Sequence, residues 1–289
     1  MYFDEEVVLD VRLNTLDKYV DYFVIVESKF THKGEKRNLK FNHEKFKKFE
    51  NKLIYLAYDK QPKEVEIIND TDADDIKGSK YIMNAVYREN SQRNFIKEGL
   101  NQANDEDIIM ISDVDEIPDL ININFKNIKE KIIMFQQSMF YYKFDLKIPD
   151  LLWTGTKACK KKYFISPQWL RNVKDKKYSF FRPDIIFSEK KYHDIKFINP
   201  GGWHFSNIKS AEDIEYKLKS YLHHREFDLQ PLSTNEIKKI IEKKQALYDL
   251  RVDKRVNKIG NGSKLVKFDF EQLPIYIQEN KNLFKQWLD

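Results

Sequence analysis

Three short apolar runs constrain the architecture most. Tyr22-Phe23-Val24-Ile25-Val26, Leu53-Ile54-Tyr55-Leu56-Ala57-Tyr58 and Asp107-Ile108-Ile109-Met110-Ile111-Ser112 are β-branched or aromatic and too short for ordinary helices. Apolar throughout rather than alternating, they suit strands buried on both faces. Glu27 follows the first run, Asp59 the second and Asp113 the third. Helical patterns lie before and between them. Phe3-Asp4-Glu5-Glu6 opens a short helix through Val7, Val8, Val11, Leu13 and Leu16, its first turn acidic. Residues 78–99 read as helical segments carrying Ile82, Val86, Phe95 and Ile96. This alternation predicts an α/β chain with a mostly parallel central sheet, its ligands just beyond the carboxyl ends of the strands. Glu27, Asp59 and Asp113 are expected on that edge.

After Pro118 the pattern loosens. Residues 132–135 and 139–142 look like strands, 153–169 is aromatic and basic, and Pro200-Gly201-Gly202 turns the chain before Trp203-His204-Phe205-Ser206. Helix formers dominate 211–227 and 235–250, and 251–264 reads as a basic loop. Without a repeat or a low-complexity linker, one compact unit is expected. It would divide into a first half over 1–118 and a second over 119–230, with a helical C-terminal extension over 231–289 packed on the same unit.

Composition narrows the function classes. The 34% charged fraction alone is compatible with disorder, but 21 Phe, 16 Tyr and 4 Trp supply the apolar area of a core. A net charge of +5, spread along the chain, argues against a dedicated nucleic-acid partner. The single Cys159 excludes an internal disulfide and fits a reducing compartment. No apolar run approaches the roughly 18 to 20 residues of a membrane span, and no leader opens the chain, so a cytoplasmic location without a membrane span is expected.

The chemistry concentrates at Ser112-Asp113-Val114-Asp115-Glu116-Ile117-Pro118. Two acids one residue apart, directly after a buried strand, can aim two carboxylates at one hard cation. A Mg²⁺ or Mn²⁺ ion held by one or two carboxylates keeps positions open for diphosphate oxygens. Neutralising a departing diphosphate is the main electrostatic demand of sugar transfer from a nucleotide donor. An Asp-x-Asp by itself is weak evidence, since many loops carry one.

The motifs around it are more specific. Phe3-Asp4-Glu5 leads to Arg12-Leu13, followed by Val20-Asp21-Tyr22-Phe23-Val24-Ile25-Val26-Glu27-Ser28 and Thr31-His32-Lys33-Gly34. Then come Gln92-Arg93-Asn94, the Ser112 to Pro118 segment and Gly202-Trp203-His204-Phe205-Ser206. In this order they resemble glycosyltransferase family 17, the bisecting GlcNAc transferase-like family, over roughly residues 1–227. The resemblance implies a GT-A type, Rossmann-like nucleotide-sugar-binding fold, a UDP-sugar donor, a divalent metal and inversion at the anomeric carbon. UDP-GlcNAc is the donor of the characterised animal members; a glycan or glycoconjugate is the implied acceptor. Family members begin with a further short strand near the centre of the sheet. This chain starts at Met1-Tyr2, so either its true start lies upstream or its sheet is built without that strand.

Individual residues carry paired readings. Asp113 would meet ribose or metal, and Asp115 metal and diphosphate. His204 is either a third metal or diphosphate ligand or a buried histidine bonded to backbone. Glu27 would accept from uracil or ribose, or else cap a helix or form a salt bridge. Arg93 would reach the diphosphate from its helix, with Arg88 a weaker second. Trp203 would stack on a sugar or sit in the core, and His223-His224 reads as a helix-surface pair. Glu116 would contact the donor sugar or cap the turn. Glu116, Glu226 and Asp194 are the candidates for the general base that an inverting transfer needs. Lys157, Lys160, Lys161 and Lys162, with Trp153 and Tyr163, would line an acceptor groove or a solvated loop. A non-catalytic carbohydrate-binding protein is one alternative function. A nucleotidyl- or phosphotransferase is another, disfavoured because no glycine-rich phosphate cradle occurs among 8 glycines.

Overall fold

A computed structural model describes residues 1–222, 224–248, 260 and 262–289. In chain order the elements begin α1 (Glu6–Leu16), β1 (Phe23–Ser28), β2 (Leu53–Tyr58), α2 (Asp74–Asn94), β3 (Ile108–Ile111), β4 (Glu116–Pro118), β5 (Ile132–Tyr141) and β6 (Leu146–Lys160). They continue with α3 (Pro167–Asn172), α4 (Pro183–Ile186), β7 (Ile195–Ile198), β8 (Gly202–Ser206), α5 (Ala211–Ser220), α6 (His224–Leu229), α7 (Thr234–Glu242), β9 (Val266–Lys267) and α8 (Ile275–Glu279). The three apolar runs are strands, and the acidic first turn does open a helix. The basic loop expected at 251–264 falls mostly outside the described residues, as do the end of the 235–250 helix and His223.

The sheet corrects the expectation of a mostly parallel centre. β1 and β2 pair in parallel, but as a two-stranded sheet of their own. β3 belongs to a second sheet of seven strands with the path β3-β6-β5-β8-β4. There β3–β6, β5–β6, β4–β8 and β6–β9 are antiparallel, and only β5–β7 and β5–β8 are parallel. Two long strands explain the arrangement. β5 takes β7 along Ile132–Phe135 and β8 along Ser138–Tyr141 on one edge; β6 takes β9 at its start and β3 at its end.

Between β1 and β3 lies a cavity of about 930 Å³, lined by Val24, Ile25, Ile109, Ile111, Leu9 and Leu13 among others. Tyr2 also lines it and forms a parallel bridge with Glu27 through Tyr2 N–H to Val26 O at 2.9 Å. The two strand ends that bear Glu27 and Asp113 therefore belong to different sheets.

The core has three parts. The largest joins α1, β4 and the C-terminal residues Leu273, Ile277 and Phe284 to Phe135, Phe140, Phe144 and Phe205. A second packs α5 and α7 on Tyr141, Tyr142, Leu146 and Ile148, and a third fills the space among β3, β7 and α3. No helix among the described residues is long and apolar enough to cross a membrane.

Candidate functional site

The loop from β3 to β4 is built by its neighbours. Arg12 of α1 donates to Ser112 Oγ and to Glu116 O, each at 2.6 Å, tying the helix to both ends of the loop. Glu116 N–H bonds Asp113 O at 3.1 Å, and the Glu116 carboxylate folds back onto Asp113 N–H at 2.9 Å, closing a turn. β8 lies antiparallel to β4, pairing His204 with Glu116 and Gly202 with Pro118. Gly202 has φ +108°, and a Cβ there would meet Ile117 O at 2.3 Å, so only glycine fits.

Asp113 is the most open carboxylate of the loop, with about a third of its side chain exposed. One of its oxygens faces Arg93 at 3.2 Å and the other Arg171 at 3.1 Å. Burial pushes its carboxyl up, but Arg171, Arg93 and the Met1 ammonium outweigh burial and hold it well below the usual range. Arg93 is anchored in turn by Glu89 at 2.7 Å and Gln168 at 2.6 Å.

Asp115 and His204 form a second pair, Oδ2 to Nε2 at 3.5 Å. Burial pushes the Asp115 carboxyl up and His204 overrides it; burial pushes the imidazole down and Asp115 overrides that, so the histidine titrates above its ordinary value. His204 Nδ1 is buried with no hydrogen-bond partner. Lys217 of α5 is also drawn in. Burial lowers its ammonium, but Glu5, 3.5 Å away, and Asp115 hold it protonated.

This donor set fits a divalent ion. Among the described residues no group of three or more His, Cys, Asp or Glu is close enough to hold an ion alone. Yet such ions are commonly held by one or two carboxylates and complete their shell with waters and phosphates. Asp115 offers an oxygen and His204 a nitrogen with an orphaned second ring atom, groups that could contribute to such a shell.

The other sequence-predicted residues lie as follows. Glu27 is fully buried, its oxygens accepting from Arg37 at 2.9 Å, Lys40 N–H at 2.7 Å, Phe41 N–H at 3.0 Å and Tyr55 O–H at 2.9 Å. Four bonds use its lone pairs, which corrects the nucleotide-binding expectation: the carboxylate is a lock between β1, β2 and the loop after β1. Glu116 is 1% exposed and also takes four bonds: Asp113 N–H, Trp153 Nε1 at 2.8 Å, and Arg171 at 2.7 and 3.0 Å. That leaves neither oxygen a free lone pair for a proton.

Asp194 precedes β7, where its carbonyl accepts from Ile132 N–H. By strand register this is level with the beginning of β3, the end opposite Asp113. Glu226 is exposed on α6, its charge acting on Tyr221 and Tyr248. Trp203 is buried in the largest core cluster, with its N–H on Gln272 O at 3.0 Å. Arg88 bonds Gln61 and the carbonyls of His32 and Lys33. His224 is buried rather than on a helix surface. Lys160 and Lys162 pair with Glu106 beside the start of β3.

Sequence reasoning missed Arg171 and Lys217, placed Trp153 in an acceptor groove or a solvated loop rather than beside His204, and gave Arg12 no role although the family motif contains it. Trp153 is half-buried, its ring 5.5 Å from His204, so the aromatic face at this site is Trp153 and not Trp203. Ser166-Pro167 does announce the helix that carries Arg171, because Ser166 Oγ caps Trp169 N–H. No local signal connects that helix to Asp113.

Set against known families, residues 1–289 match the model for glycosyltransferase family 17. The chain belongs to that family. This glycosyltransferase accordingly has a sugar donor and an acceptor as its substrates, and the Asp113–Asp115 loop with its arginines is the candidate centre. No curated protein and no solved structure matches the chain.

Proposed function

We propose that this glycosyltransferase moves a sugar, GlcNAc first among the candidates, from a UDP donor to a glycan acceptor, with inversion and with a divalent metal, on a GT-A type fold. The observation that carries the reading is the pair of carboxylates at the end of β3, Asp113 between two guanidiniums and Asp115 against His204. Asp115 and His204 would hold the ion, with Asp113 joining as its arginines turn to the donor. A bound Mn²⁺ or Mg²⁺ supplies charge neutralisation to the departing diphosphate. Arg93, fixed by Glu89 and Gln168, presents a donor-rich cation to the same phosphates. Trp153 offers an aromatic face beside His204 for a sugar ring.

Calorimetry with UDP, GDP and their sugars, with and without Mn²⁺, tests the reading. Manganese-dependent binding of a UDP-sugar, lost in Asp115→Ala at unchanged thermal stability, is the expected result. Unchanged affinity in that variant removes Asp115 from the metal site. No binding of any nucleotide by the unsubstituted protein favours a non-catalytic carbohydrate-binding protein instead.

A further inference from the structure

Arg171 is the most heavily bonded cation at the centre. Its Nη1 donates to Glu116 Oε2 and to Gly155 O, both at 2.7 Å, and its Nη2 to Glu116 Oε1 at 3.0 Å and Asp113 Oδ2 at 3.1 Å. Three of the four bonds end on buried acceptors, since Glu116 is 1% exposed and Gly155 lies inside β6. The fourth ends on Asp113, the open carboxylate of the loop. Gly155 permits the arrangement: a Cβ there would stand 2.9 Å from Glu116 Cδ and closer still to Gln137.

The backbone that presents Arg171 is fixed as well. Lys157 of β6 is buried and donates to Arg171 O at 2.7 Å and Val173 O at 2.6 Å, clamping the C-terminal end of α3. A guanidinium held on one side by a bidentate carboxylate has its remaining N–H oriented in advance. Here that N–H points at Asp113 Oδ2, the open carboxylate of the loop. Arg93 reaches the other oxygen of Asp113 but is more deeply enclosed, 5% exposed against 13% for Arg171.

We propose that Arg171 receives the leaving diphosphate, exchanging its bond to Asp113 for one to a β-phosphate oxygen of the donor. This rests on the UDP-sugar reading above. In the transfer an acceptor hydroxyl oxygen bonds the anomeric carbon and the hydroxyl proton passes to a base. The bond from that carbon to the β-phosphate oxygen breaks, and its electron pair stays on the phosphate. Arg171 meets the charge that appears there, an interaction stronger at the transition state than before it. Glu116 and Lys157 are positioning residues that act through it. A lysine would keep the charge and lose the fork.

Binding of UDP and of uridine in the presence of Mn²⁺, measured on Arg171→Lys and Arg171→Gln, separates this role from a structural one. UDP affinity should fall about tenfold or more, as expected for loss of a charge-assisted phosphate bond, while uridine affinity stays unchanged. Turnover of the UDP-sugar should fall by about a hundredfold in Arg171→Gln, with KM changing far less. Arg171→Lys keeps the cation beside Glu116, so it covers the case in which the glutamine variant does not fold. A folded Arg171→Lys that binds UDP as the unsubstituted protein does overturns the proposal alone. An unsubstituted protein that binds no nucleoside diphosphate overturns the donor reading with it.

Discussion

The two acidic strand ends look alike in sequence and differ in kind. Glu27 closes β1 and Asp113 follows β3, each after an apolar run. Glu27 is fully buried and bonded to two backbone N–H groups, a tyrosine and Arg37, itself 4% exposed. Asp113 is open, and both of its partners are side chains that keep other anchors: Glu89 and Gln168 for Arg93, Glu116 and Gly155 for Arg171. A carboxylate satisfied by backbone is committed to the fold, whereas one satisfied by guanidiniums with partners to spare can be given to a ligand.

Breaking each end should show the difference at its largest. Glu27→Ala strands the Arg37 cation in the core, and chemical denaturation should show a loss of about 3 to 5 kcal/mol. Asp113→Ala leaves every arginine paired, so its stability cost should stay under about 1 kcal/mol. Metal-dependent UDP-sugar turnover, in contrast, should vanish in Asp113→Ala and persist in whatever fraction of Glu27→Ala folds. Equal destabilisation by the two substitutions would erase the distinction.

The clamp behind Arg171 offers the next test. Burial, aided by Arg171, pushes the Lys157 ammonium down to about 8 from 10.5. The folded state therefore gives up this proton first, and the clamp's contribution to stability rises with pH between those two values. Both bonds to carbonyls survive, because a neutral amine still carries two N–H groups. Lys157→Met should lack that rise, worth on the order of 2 kcal/mol, when denaturation midpoints at pH 7.5 and 10 are compared. A rise of the same size in the variant assigns it to another group.

What was legible in the sequence was local. The runs that became β1, β2 and β3 were visible because strands buried on both faces need no alternation. β6 was not, since Pro149, Asp150, Gly155 and the lysines from 157 onward hide a strand of 15 residues. Its insertion beside β3 made the sheet mixed, and pairing between Ile111 and Lys157 leaves no trace in either segment. The site divides in the same way. Asp113, Asp115 and Glu116 were found together because they are adjacent in the chain. Arg171 and Trp153 reach Glu116 from 55 and 37 residues away and were not.

The paired readings of His204 can be sharpened by titration. Asp115, after the opposing effect of burial, holds the imidazole above 6.5, so this part of the stability is present below that value and fades as pH rises through the folded value. In Asp115→Asn the ring-proton resonance of His204 should titrate at lower pH than in the unsubstituted protein. An unmoved midpoint would mean that Asp113 or Glu116, which also act on the ring, dominates.

The smallest effect is expected at Trp153, whose ring and N–H do separate things. The N–H is one of four donors on Glu116, and the ring lies against His204. Trp153→Phe keeps an aromatic face and removes one hydrogen bond from a buried carboxylate that retains Arg171 and Asp113 N–H. Thermal unfolding should show a loss of about 1 kcal/mol, with donor affinity unchanged. Trp153→Ala removes both, and the additional change in sugar-nucleotide affinity over that for UDP then measures the ring alone. If Phe and Ala behave alike, Trp153 serves only to hold Glu116, and the contrast between the committed and the available carboxylate extends by one more residue to the committed side.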